Sequence, residues 1–132
     1  MTDKELLELA AKAAGWTGWR SKHGYWNLES PEGEKSSHCH DWLPYDAYTG
    51  EKLSDPTFAD AINSEGWNPI TDDGDALRLA VKLRLHVSVF ADAIGIGTPE
   101  RGYVETKWVD DPYAATRRAI VRAAAEIGKA MK

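Results

Sequence analysis

Five of the chain's six tryptophans lie between Trp16 and Trp67, a stretch where glycine, proline, serine and aromatic residues alternate without a long hydrophobic period. Such a segment predicts short strands and loops, and it leaves bulky rings that loops alone do not bury. Two readings follow. Either Trp16, Trp19, Trp26 and Trp42, with Tyr25, Tyr45 and Tyr48, build a second small core against the first helix, or some stay exposed to hold a ligand or partner. Trp67 and Trp108 sit in more regular surroundings and read as core residues needing a partner for the indole N–H.

Around that stretch the pattern is legible. Thr2 followed by Glu5 has the spacing of a capping box, Leu6, Leu9, Ala10 and Ala13 share one side of a 3.6-residue wheel, and Gly15 supplies a stop. The spacing predicts a surface helix over 3–14, with Lys4, Glu8 and Lys12 turned outward. Gly24 to Glu29 predicts a strand that ends at the Ser30-Pro31-Glu32-Gly33 turn. Asp55-Pro56 reads as an N-cap and first helical residue, opening a short helix to about Ile62.

Pro69 blocks helix before it, and Thr71 or Asp72 can cap a helix after it, with Asp72, Asp73 and Asp75 complementing the positive helix end. From Asp75 to Leu83 apolar residues cover nearly the whole wheel, so this helix is predicted to be largely buried. His86 to Ala91 and Tyr103 to Trp108 alternate as strands and predict an antiparallel hairpin, with Gly95, Gly97 and Pro99 in the loop between them. Asp110-Asp111-Pro112 starts the last helix, where Tyr113, Ile120, Ala124, Ile127 and Met131 fall in one arc and Arg118, Arg122 and Lys129 point away. The order of elements predicts one α+β domain over residues 1–132, layered, with helices covering a mainly antiparallel sheet.

At 132 residues the chain has room for one modest core, and its formal charge of -5 argues against non-specific binding to nucleic acid or an anionic membrane. No apolar run reaches the length of a membrane span, and the acidic N-terminus does not read as a signal peptide. The single Cys39 excludes an internal disulfide framework and fits a reducing compartment, which points to a soluble cytoplasmic protein.

Three stretches carry a resemblance: Glu5 to Gly15 (Glu-Leu-Leu-Glu-Leu-Ala-Ala-Lys-Ala-Ala-Gly), Trp67 to Ala80 with its Trp-Asn-Pro-Ile-Thr-Asp-Asp-Gly-Asp opening, and Ala114 to Ala123. Together they resemble the phage ABA sandwich domain family, small proteins of tailed phages and prophages that are distantly similar to the phage NinX-like proteins. The resemblance implies an α-β-α layered sandwich and a phage or prophage gene expressed inside a bacterium. It implies no catalytic residue and no cofactor. The segment from Trp16 to Glu65 departs from the family pattern by its length and its aromatic content.

Chemistry has few footholds. His38-Cys39-His40-Asp41 is the only local cluster of metal-ligand types, and in an extended segment His38 and His40 share a side. A closed site needs four ligands, and only His23 and Asp46 offer distant help, so a polar loop is the simpler reading. Cys39 as a nucleophile fails on geometry, because neighbours in a strand point apart. The acidic pairs Asp72-Asp73 and Asp110-Asp111 are explained by capping, and Gly95-Ile96-Gly97 lacks the helix and lysine of a phosphate loop and reads as a hairpin turn.

Charge is segregated: residues 101–132 carry seven basic and four acidic side chains, against nine and seventeen in the rest. Arg118, Arg122 and Lys129 form a solvated face with Glu126 placed to pair with Arg122, or a docking face for an acidic partner or another copy of the chain. Exposed aromatics beside Arg20, Lys22 and His23 would suit a base or nucleotide, although no nucleic-acid module accompanies them.

These observations predict a non-enzymatic phage or prophage accessory protein that binds a host or phage protein, an inhibitor of host defence being one specific form. The partner-binding candidates are Trp16, Trp19, Trp26, Trp42, Tyr45, Arg118 and Arg122. The alternative is a metal- or nucleotide-binding protein or enzyme using His38 to Asp41.

Overall fold

The computed structural model describes residues 1–20, 26–38, 57–99, 102–107 and 111–131. Helix α1 (Asp3–Ala14) begins at the expected capping box, where Thr2 Oγ1 accepts from the Glu5 N–H and the Glu5 carboxylate accepts from the Thr2 N–H. Gly15, at φ 104°, ends it in the left-handed conformation. Strands β1 (Thr17–Arg20), β2 (Trp26–Glu29) and β3 (Lys35–His38) then form an antiparallel sheet in that order. Helix α2 (Phe58–Ser64) starts two residues later than Asp55-Pro56 suggested. Thr57 is its N-cap, in a capping box with Asp60, while Asp55 and Pro56 lie outside the described residues.

Helix α3 (Asp73–Lys82) is capped by Asp72 and leads into a second antiparallel sheet of β4 (His86–Val89), β5 (Ala93–Thr98) and β6 (Gly102–Lys107). Here the expected hairpin is corrected. Gly95-Ile96-Gly97 is no turn but the middle of the central strand, with Gly95 paired to Ser88 on one side and Glu105 on the other. The glycine is needed for a steric reason: the Tyr103 ring of β6 lies across Gly95 where a Cβ would stand. The last helix, α4 (Pro112–Ala130), is capped by Asp111 with Pro112 in its first turn, as expected.

The class is α+β and both sheets are antiparallel. One sheet packs on α4 through β5, the other on α2 through β2, and α1 touches both α4 and α2, so helices stand between the two sheets. The larger core joins Leu6, Ala10, Leu79, Ile94, Ile96, Ile120 and Val121 from α1, α3, α4 and β5. A smaller one joins Ala11, Leu28, Ala61 and Ile62, with Trp26 stacked on Phe58 at 5.7 Å. Trp16 and Trp67 pack against both cores, their rings 6.2 Å apart, and so tie the two halves together. Helix α1 keeps Lys4 and Lys12 exposed as expected, but its buried face is wider than one arc and takes in Leu7, Ala11 and Ala14. Among the described residues no helix is long and apolar enough to cross a membrane.

Candidate interaction surface

The Trp67-Asn68-Pro69 segment fixes how α3 is rotated. The Asp75 carboxylate, nearly buried, accepts from the Asn68 N–H at 2.9 Å and from Arg78 at 2.8 Å. Asp72 accepts from the Asp75 N–H, and Asn68 Oδ1 accepts from the Ile70 N–H. Arg117 of α4 clamps the same corner, donating to the Ile70 carbonyl at 2.8 Å and to Asp73 at 2.6 Å. With Pro69 fully buried, the corner holds Ala76, Leu79 and Ala80 inward.

That rotation leaves apolar residues outside, which corrects the expectation that α3 is largely buried. Leu77 is 64% exposed and Val81, one turn on, 70%. Tyr113, placed by its spacing on the inner arc of α4, is 70% exposed, and Val89 at the end of β4 is 63% exposed. Leu77, Val89 and Tyr113 are neighbours. Leu77, Ala80, Val87, Val89, Tyr113 and Ile120 line one groove between α3, β4 and α4. Its walls are apolar, with the Asp73–Arg117 ion pair at one end. An apolar wheel, as in α3, cannot distinguish a buried helix from one that packs on one face and docks on the other. The signal in the sequence was Leu77 and Val81, four residues apart and about 100° round the helix from the Ala76-Ala80 pair.

The aromatic candidates divide. Trp16 and Trp26 are half-buried in the packing just described. Trp19 is 64% exposed on β1, on the sheet face opposite Leu28 and beside the polar row of Asn27 and Ser37, whose side chains share a 2.8 Å hydrogen bond. Among the described residues it is a single ring on a polar face, unlike the groove. Trp42, Tyr45 and Trp108 lie outside the described residues, as do Tyr25, Tyr48, Lys22 and His23.

Arg118 does not stand free on a solvated face. It donates to both oxygens of Asp3, at 2.8 and 3.3 Å, and the guanidinium's hydrogen bond holds the Asp3 carboxyl below its ordinary range. Arg122 lines a separate cleft with Val104, Thr106 and Glu126, between β6 and α4. His38 closes β3, but Cys39, His40, Asp41 and Asp46 fall outside the described residues. Among the described residues no three His, Cys, Asp or Glu side chains gather as a metal site. Compared with protein-family models, curated proteins and solved structures, the chain finds no match.

Proposed function

We propose that this is a non-enzymatic protein that acts by binding another protein. The observation that carries the reading is the groove of exposed Leu77, Val89 and Tyr113, since a contiguous apolar surface costs solubility and stability unless something covers it. The exposed Trp19 on the far sheet offers a second contact point. The resemblance of the sequence to phage ABA sandwich proteins supplies the setting: an accessory protein of a phage or prophage, working in the bacterial cytoplasm on a host or phage protein. Inhibition of a host defence protein is one form of this activity.

The test is photo-crosslinking in the bacterial host, with a benzophenone amino acid replacing Leu77 in one variant and Trp19 in another. At least one position is expected to yield an adduct with a protein other than the chain itself. If neither does, the reading falls. It falls equally if native mass spectrometry finds a bound metal or nucleotide that His40→Ala removes, because the His38 to Asp41 segment would then carry the function.

A further inference from the structure

We infer that the groove is covered by a second copy of this chain, joined through β4; this rests on the part of the reading above that takes the groove as a protein-docking surface. Among the described residues, strand β4 is an edge of its sheet, paired to β5 on one side only. The Phe90 N–H donates to the Ala93 carbonyl across a two-residue turn, so the alternation of an antiparallel ladder gives Phe90, Ser88 and His86 the bonds to β5. Val87 and Val89 therefore turn their N–H and C=O groups away from β5. Their side chains are the two that enter the groove from β4.

This edge is complementary to itself. A two-fold axis through Ser88 sets Val87 of one copy opposite Val89 of the other, each pair exchanging both backbone hydrogen bonds, and the two three-stranded sheets become one. The same axis brings the groove of each copy alongside the other, so that Leu77, Val87, Val89 and Tyr113 of both face a common apolar space.

Charge points the same way. The register that pairs Val87 with Val89 sets uncharged Phe90 opposite His86 and, beyond the strand ends, brings the turn that carries Asp92 toward the turn that carries Arg84, which at φ 56° has left the ladder. Arg84 and Asp92 are both exposed, Arg84 following the C-terminus of α3 and Asp92 in the turn after β4. Two copies of a chain with net charge -5 repel at long range, but here they meet along an edge with a basic residue beyond one end and an acidic residue beyond the other, so the antiparallel pairing brings unlike charges to the same end. A foreign strand could use the same backbone groups, but only an antiparallel copy of β4 brings this matching pattern with it.

Sedimentation velocity on the purified chain tests the inference. The wild type is expected at twice the 14.6 kDa of one chain. Val87→Pro removes an outward N–H and no bond to β5, and it is expected to sediment as a monomer with its far-ultraviolet spectrum unchanged. Arg84→Glu and Asp92→Lys, each alone, set like charges together and are expected to be monomers; mixed, they restore matched pairs and are expected to form a one-to-one heterodimer. Should Val87→Pro fail to fold, the charge pair decides.

A monomeric wild type overturns the inference, as does a dimer that all three variants leave intact. A monomer that still crosslinks through Leu77 to a foreign protein sinks the dimer and keeps the protein-binding reading. A dimer whose Leu77 and Trp19 adducts are all with itself keeps the dimer and sinks the reading of a host or phage target.

Discussion

Helix α4 has an apolar seam on each side, and the two are built in opposite ways. Against α1 the contact is made of small residues, with Ala10, Ala14, Ala124 and Gly128 all buried and the Leu9 backbone lying over Gly128. Against α3 and β4 the residues are larger, Leu77, Val89 and Tyr113, and they stand apart around an open groove. Small residues let two backbones close until no solvent remains, whereas large side chains projecting from the rim prevent closure and keep their surface available. The first seam belongs to folding, and the second, on the function proposed above, to association. Substitutions in the first should change stability, and substitutions in the second should change what the protein binds.

The sharpest way to break this comparison is at Gly128, where a Cβ would meet the carbonyl oxygen of Leu9. Because the obstacle is backbone, and not the end of a flexible side chain, Gly128→Ala forces α1 and α4 apart. It is expected to cost about 2–3 kcal/mol, despite alanine's better helix propensity, read as a lower denaturant midpoint. An unchanged midpoint would show that the seam has slack and that the two sides of α4 do not differ as described.

What was legible in the sequence follows the same division. Signals that act within a few residues are legible: the Thr2 and Glu5 capping box, Gly15 as a stop, Asp72 as one of two possible caps, and Asp111-Pro112 as a helix start. The exception, at α2, arose because Asp55-Pro56 and Thr57 are both sound starts and tertiary contact chose between them: Glu8 of α1 accepts from the Ala59 N–H. Signals that depend on a distant partner were misread. Gly95 looked like a turn because its reason, the Tyr103 ring, comes from the next strand. The groove was hidden since an apolar residue in a helix says nothing about whether its partner is in the same molecule. Of the candidate site residues, Trp19 alone among the described tryptophans is exposed, while Trp16 and Trp26 serve the smaller core.

A smaller effect sharpens the folding side. Besides its small residues, the seam is held by Arg118 on Asp3, and its other end by Lys12, which donates to the Met131 carbonyl at 2.9 Å. The Asp3 carboxyl titrates below its ordinary value in the folded chain because of the hydrogen bond from Arg118, so the unfolded chain binds its proton more readily. Stability from this group is therefore present above the ordinary carboxylate range and is lost as pH falls through the lowered value. Asp60 acts in the same sense: burial raises its pKa, but hydrogen bonds from Thr57 and Lys4 outweigh that and hold it down. Both partners in the Asp3 pair are partly exposed, so Asp3→Asn is expected to cost less than about 1 kcal/mol at neutral pH. The gap should narrow with added salt and vanish in acid, as followed by thermal unfolding across a pH series. A gap that widens in acid would reverse the assignment.

The smallest expected effect is the most telling for the groove. Leu79 and Leu77 sit two positions apart on α3, yet Leu79 is buried in the larger core and Leu77 is not. Truncating an exposed side chain leaves no cavity, and alanine is the better helix former, so the transfer and propensity terms nearly cancel. Leu77→Ala is therefore expected to shift the unfolding free energy of the isolated chain by no more than about 0.5 kcal/mol in either direction. The measurement should be made on the monomeric Val87→Pro background, since in a dimer Leu77 would contribute through mass action as well. A loss comparable to that of a core leucine would mean that Leu77 is covered within its own chain, and the open side of α4 would then be a second folding seam.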